Sequence, residues 1–151
     1  MDQMSTLDAE FLYLEDGVVQ MHIGSCAVFE GPAPEFEEFV ALTESKLPLV
    51  PRYRQKVRDV PLGFGRPVWV DDPHFTMDYH VRHTARPEPG GAEQLRRLMG
   101  RVMSQPLDRS RPLWETWVVE GLEDGRWAAI SKVHHSIVDG VSGVEMINAL
   151  L

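Results

Sequence analysis

Residues 113–140 read LWETWVVEGLEDGRWAAISKVHHSIVDG, and how that run divides decides the fold. Two apolar, β-branched and aromatic segments, 113–121 and 126–134, flank Glu123-Asp124-Gly125, a turn triplet. That arrangement predicts a β-hairpin. Both of its strands are too apolar to have a solvated face, so the hairpin is expected at the centre of a sheet. His134 and His135 then fall where the second strand ends, followed by Ser136 to Gly140 as a loop into a last helical pattern (Val141, Val144, Ile147, Leu151).

Working outward, residues 92–104 carry the strongest helical period, with Leu95, Leu98, Met99 and Val102 inward and the arginines outward. Residues 35–47 repeat that period with Phe36, Phe39, Val40 and Leu47, and Pro48 and Pro51 end it. Ser5 and Asp8 have the spacing of a capping box for a helix over 5–15, whose Leu7, Phe11 and Leu14 share a face. Residues 20–29 alternate as a strand covered on both faces, with Cys26 as a small core residue. Short strands are expected at 55–60 and 67–71, a further one at 76–84, and a loop at 86–91. Strands and helices mixed in this order predict an α/β (α+β) fold, a mixed sheet with helices packed on it. Trp69, Trp117 and Trp127 are expected in the core or on a sheet face, and His22 and His80 as packed, hydrogen-bonded residues.

Composition narrows the function. The 151 residues are 43% hydrophobic and 25% charged, enough for one domain with its own core. A net charge of -8 disfavours phosphate backbones, so no nucleic-acid partner is expected. Arg96, Arg97 and Arg101 form a local basic stripe on one helix. The single cysteine cannot form an intrachain disulfide, which suits a reducing, cytoplasmic compartment. The N-terminus lacks the apolar core of a secretory signal, and no apolar run approaches the roughly 20 residues of a bilayer span. A soluble or at most peripheral protein is the expectation.

The chemistry concentrates in His134-His135-Ser136-Ile137-Val138-Asp139-Gly140. A rigid strand fixes a side chain while the loop beyond it leaves the group accessible. Adjacent strand residues point to opposite faces, so the two histidines take different roles. A neutral imidazole can accept a proton from a hydroxyl. Asp139 can cap the following helix or orient the loop, and Gly140 permits a tight turn. From spacing alone, a structural pair and a general base both remain open. Zinc binding through His134, His135 and Asp139 is disfavoured by the divergence of the histidines, so no metal is expected. No G-x-S-x-G elbow surrounds Ser136, which argues against a serine hydrolase.

The HHSIVDG segment resembles the HHxxxDG motif of CoA-dependent acyltransferases with the chloramphenicol-acetyltransferase-like fold. The opening LDAEFLYLED, then MHIG at 21–24, resembles the bacterial wax ester synthase/diacylglycerol acyltransferases in particular. So do Asp72-Pro73-His74-Phe75, His80-Val81-Arg82, and Pro112-Leu113-Trp114 preceded by Leu107-Asp108 and Arg111. The resemblance runs in order over nearly the whole chain and implies the N-terminal domain of a two-domain enzyme over residues 1–151, without the C-terminal domain. It implies acyl-CoA as a substrate, diacylglycerol or a long-chain alcohol as acceptor, and no cofactor. By the same resemblance His135 is the general base. His134, Asp139 and Gly140 support it, and Pro112, Leu113 and Trp114 serve as a structural or substrate-channel element.

Family members also have a second domain and an Asn-Asp motif that find no counterpart here. A general base without its opposite wall loses positioning and charge stabilisation, so this chain alone is expected to be inactive. The missing domain or a homo-oligomer is the expected partner, and loose attachment to the inner membrane or lipid droplets follows from the lipid-like products. Two alternatives stand beside this reading: a non-catalytic module binding lipid or a partner, and a condensation-like acyltransferase using carrier-protein thioesters.

Overall fold

A computed structural model describes residues 2–15, 18–85 and 90–138. The final helical pattern beyond Gly140 lies outside these residues. Within them the 113–134 hairpin forms as β6 (Trp114–Glu120) and β7 (Trp127–His134), antiparallel, with Trp114 opposite Val133 and Val119 opposite Ala128. Asp124 and Gly125 make the turn at φ 61° and 69°, a region that Asp tolerates and Gly enters freely. β2 (His22–Phe29) pairs antiparallel with β7, and β5 (Val81–Ala85) pairs parallel with β6. The four-stranded order β2-β7-β6-β5 therefore puts the hairpin at the centre.

The parallel β5–β6 pair needs a crossover, and α4 (Ala92–Ser104) supplies it, at the boundaries its periodicity predicts. Leu95, Leu98 and Met99 pack with Val102 against Val119, Ala128 and Ile130 on one sheet face. The opposite face is covered by α1 (Thr6–Leu14), α2 (Phe36–Lys46) and a small antiparallel sheet. That sheet has the order β1 (Asp2–Gln3), β4 (Val68–Asp71), β3 (Gln55–Arg58). Leu12, Phe39, Leu47, Tyr53, Trp69, Leu113, Trp114 and Val133 share this larger core. The Ser5 hydroxyl accepts the Asp8 N–H at 3.1 Å and starts α1 as its spacing predicts. Two 3₁₀ turns, Leu47–Leu49 and Pro51–Arg54, carry the proline segment into β3.

Four local expectations need correction. The strand expected at 76–84 begins only at Val81, after a one-turn helix α3 (Met77–His80). Val81 pairs with Thr116, so a longer ladder in that register would run onto Pro112, which has no N–H to donate. β2 is covered on one face only, because Gly24, Cys26 and Val28 stay exposed at the sheet edge, and Cys26 is no core residue. In α1 the buried positions are Asp8, Ala9 and Leu12, whereas Leu7 and Leu14 are half or more exposed. Finally, a two-residue strand β1 precedes α1 where no strand was expected. Among the described residues no helix is long and apolar enough to cross a membrane.

Candidate active site

The site is built on the end of β7. There the backbone N–H of His134 donates to Leu113 O at 3.0 Å, and that of His135 donates to Met21 O at 2.8 Å. One strand end is thus held from both sides, by the residue before β6 and by the residue before β2. Two further turns follow, with Ile137 N–H on His134 O and Val138 N–H on His135 O.

The two rings part, as alternation requires. The His134 ring is fully buried. Its Nδ1 accepts the Ser136 backbone N–H at 3.1 Å, with the Ser136 hydroxyl 2.8 Å from the same atom. The ring proton therefore sits on Nε2, which faces the Glu15 carboxylate at 3.3 Å. Burial, outweighing the pull of Glu15, lowers the His134 pKa to about 4, and the charge of Arg109 adds to the shift. His134 is consequently neutral at physiological pH, and its contact with Glu15 is that of a neutral N–H facing a carboxylate.

Glu15 is the hinge of this arrangement. It follows α1, its side chain is almost fully buried, and it accepts the Met21 N–H at 2.9 Å and Arg109 Nη2 at 3.1 Å. Desolvation raises its pKa, but the Met21 N–H, His134 and Arg109 together overcome that and leave it lowered. Met21 donates to Glu15 through its N–H and accepts from His135 through its C=O, so one carboxylate steadies both histidines. Arg109 also donates to Leu12 O at 2.6 Å, tying α1 to the segment before β6.

The His135 ring lies at the half-buried end of β7, stacked on Phe11 of α1 at 5.0 Å between centroids. Phe11 thus has a definite task on the α1 face that is otherwise exposed. His22, opposite His134 in the β2–β7 register, donates from Nε2 to Met103 O at 2.8 Å. Burial depresses its pKa as well. The end of α4 that offers Met103 is fixed in turn by Lys132, which is fully buried on β7. Its ammonium donates to Val102 O at 2.8 Å and to Gln105 O, and it pairs with Glu115 at 3.0 Å.

Pro112, Leu113 and Trp114 are all buried directly behind the histidine strand. Trp114 Nε1 donates to Tyr53 O at 2.8 Å, and the His80 ring stacks on the Trp114 ring at 4.6 Å with its Nδ1 2.7 Å from Trp114 O. Asp139 and Gly140 lie outside the described residues, so the structure assigns them no place. Among the described residues no group of three His, Cys, Asp or Glu side chains converges as a metal site would require. Glu15, Arg109 and Lys132 were not singled out in the sequence, and Phe11 and Ser136 were read only as a helix-face residue and as no nucleophile, yet all five hold the site together.

Residues 4–151 match the model of the wax ester synthase/diacylglycerol acyltransferase catalytic domain. Two proteins of Mycobacterium tuberculosis that carry the name probable diacylglycerol O-acyltransferase are 44% and 43% identical to the chain, over 94% and 99% of its length. The chain spans about half of the first (53%) and a third of the second (33%). Among solved structures, the wax ester synthase/diacylglycerol acyltransferase of Marinobacter aquaeolei VT8 superposes with a TM-score of 0.79 at 34% identity, over 98% of this chain and 36% of that one. The starter condensation domain of rhizomide synthetase superposes with a TM-score of 0.71 at 18% identity, over 92% of this chain and 34% of that one, a likeness of fold alone.

Proposed function

The chain belongs to the wax ester synthase/diacylglycerol acyltransferase catalytic-domain family, and from that premise we propose that it supplies the histidine half of an acyl-CoA-dependent O-acyltransferase. The observation that supports this best is the His135 ring, presented at the half-buried end of a central strand while its neighbour is locked away as a neutral, buried group. An accessible imidazole on a fixed backbone is what general-base catalysis requires. His135 takes the proton of a diacylglycerol hydroxyl or a long-chain alcohol as its oxygen attacks the thioester carbonyl. The new C–O bond forms, the C–S bond breaks, and the imidazolium returns its proton to the CoA sulfur.

His134 positions this group rather than reacting, since its Nδ1 is occupied by Ser136 and its ring is closed to solvent. Pro112-Leu113-Trp114 act as the wall behind the strand, through the Leu113 carbonyl and the buried Trp114 ring. Asp139 and Gly140, which lie outside the described residues, count as supporting residues on the family resemblance alone. The second wall of the site, which binds CoA and orients the thioester, comes from a C-terminal domain or from another copy of the chain. Peripheral attachment at the inner membrane or lipid droplets suits the lipid products.

The test is CoA release from palmitoyl-CoA with hexadecanol or dioleoylglycerol as acceptor, run on this chain and on a version extended to the length of its relatives. His135→Ala in the extended protein is expected to lower the rate by about 10²–10⁴-fold, the usual worth of a positioned base. Unchanged release would remove His135 from the chemistry. Release only from carrier-bound thioesters would favour the condensation-like reading instead.

A further inference from the structure

Helix α1 packs on the core through Asp8, Ala9 and Leu12, while Leu7 and Leu14 on its other side are 50% and 61% exposed. Phe11 falls between those two in the i, i+4, i+7 series, and it belongs to neither of the apolar clusters that flank the large sheet. The core therefore does not call for an aromatic ring at this position. The ring is nevertheless half-buried and lies on the His135 imidazole, with centroids 5.0 Å apart and planes inclined by 27°. Among the described residues this is the one ring contact that either side chain makes.

The two histidines differ in what holds them. The His134 ring is fixed through its nitrogens, by Ser136 at Nδ1 and by the Glu15 carboxylate facing Nε2. The His135 backbone is equally well held, with its N–H on Met21 O at 2.8 Å and its C=O accepting the Val138 N–H at 3.3 Å. Its side-chain torsions are not: among the described residues no hydrogen bond reaches the imidazole. Staggered χ1 wells and a broad χ2 would scatter the ring nitrogens over several directions. A hydrogen bond could select one direction, but it would occupy a nitrogen. A ring laid against the imidazole face fixes the plane and leaves both edge nitrogens able to meet a hydroxyl.

We propose that Phe11 is a positioning residue for His135, holding the imidazole by its face so that its nitrogens stay available to the acceptor. The consequence for catalysis rests on the acyltransferase reading, whereas the stack itself does not.

Phe11→Leu and Phe11→Tyr test it with two readouts. Leucine keeps an apolar side chain and is the better helix former, so the Tm is expected to hold; tyrosine keeps the ring. In the 151-residue chain, proton NMR reads the stack directly. The imidazole C–H resonances of His135, assigned by their loss in His135→Gln, are expected at lower frequency than in a free histidine, because they lie over an aromatic face. They are expected to return to the free position in Phe11→Leu and to stay shifted in Phe11→Tyr. In the version extended to the length of its relatives, kcat for CoA release is expected to fall about tenfold in Phe11→Leu at unchanged KM for palmitoyl-CoA, with Phe11→Tyr near wild type. His135 resonances that ignore the leucine substitution overturn the proposal. So does a lower Tm with a raised KM in Phe11→Leu, which marks the ring as a packing group. Wild-type kcat in Phe11→Leu, beside an inactive His135→Ala, overturns the positioning role and leaves the acyltransferase reading standing. Unchanged release by His135→Ala overturns both, whatever the resonances show.

Discussion

Glu15 stands just past the last turn of α1, where its buried carboxylate meets the histidine strand. A carboxylate at the C-terminal end of a helix opposes the helix dipole, so its position after α1 signals a partner elsewhere. That partner set is Met21 N–H, Arg109 and the Nε2 side of His134. Removing the carboxylate by Glu15→Ala leaves the part-buried Met21 N–H without its acceptor and takes the charge away from the buried His134 ring. The expected loss is about 1–3 kcal/mol, read as a lower denaturation midpoint at unchanged m-value. Arg109→Ala is expected to cost less, since its side chain is 45% exposed and water can replace part of what it supplies. His135→Ala should leave the midpoint nearly unchanged, because the ring is half-buried and only its stacking on Phe11 is lost. An activity lost without a stability change is the signature of a chemical role.

At the scale of elements, what was legible in the sequence is what short-range periodicity encodes. The helix 92–104 and the hairpin 113–134 appear where their patterns put them, because an apolar stripe of period 3.6 or a run of β-branched residues has one way to be buried. The α3 turn was missed because alternation in 76–84 says nothing about Pro112, the residue that the ladder would have had to meet. The histidine pair was visible as a motif, but its support was not. Glu15 lies 119 positions before His134, and the sequence does not show that they meet. Lys132 was hidden for the same reason: within a strand pattern a lysine reads as an exit to solvent, yet this one is fully buried against the end of α4. Lys132→Met is expected to destabilise by about 3–5 kcal/mol, because it leaves the buried Glu115 with only Arg82 at 3.5 Å, and it releases the carbonyls of Val102 in α4 and of Gln105 just past its end. Hydrogen exchange should localise the effect to α4, whose amides are expected to lose protection before those of β6 and β7.

For the molecule as a whole, buried neutral histidines set the response to acid. His22 and His134 lie on the α4 face of the sheet and His80 lies in the core behind Trp114, and burial lowers the pKa of all three. A folded pKa below the unfolded value of about 6.5 means that the unfolded chain binds more protons between the two. Stability is therefore complete above about pH 6.5 and declines as pH falls towards the folded values, about 4 for His134. By pH 5, His134 alone removes about 2 kcal/mol, and His22 and His80 act in the same direction. For a domain of this size that corresponds to a Tm lower by roughly 4–8 °C at pH 5 than at pH 7.5. The carboxylates with lowered pKa, Glu15 and Asp108, act in a separate window, because their stabilisation is lost only as pH falls below the ordinary values of 4.5 and 3.8. A Tm that stays flat between pH 7.5 and 5 and falls only below that range would mean that the histidines are hydrated in solution. The locked, neutral His134 behind the proposed base would then have to be abandoned.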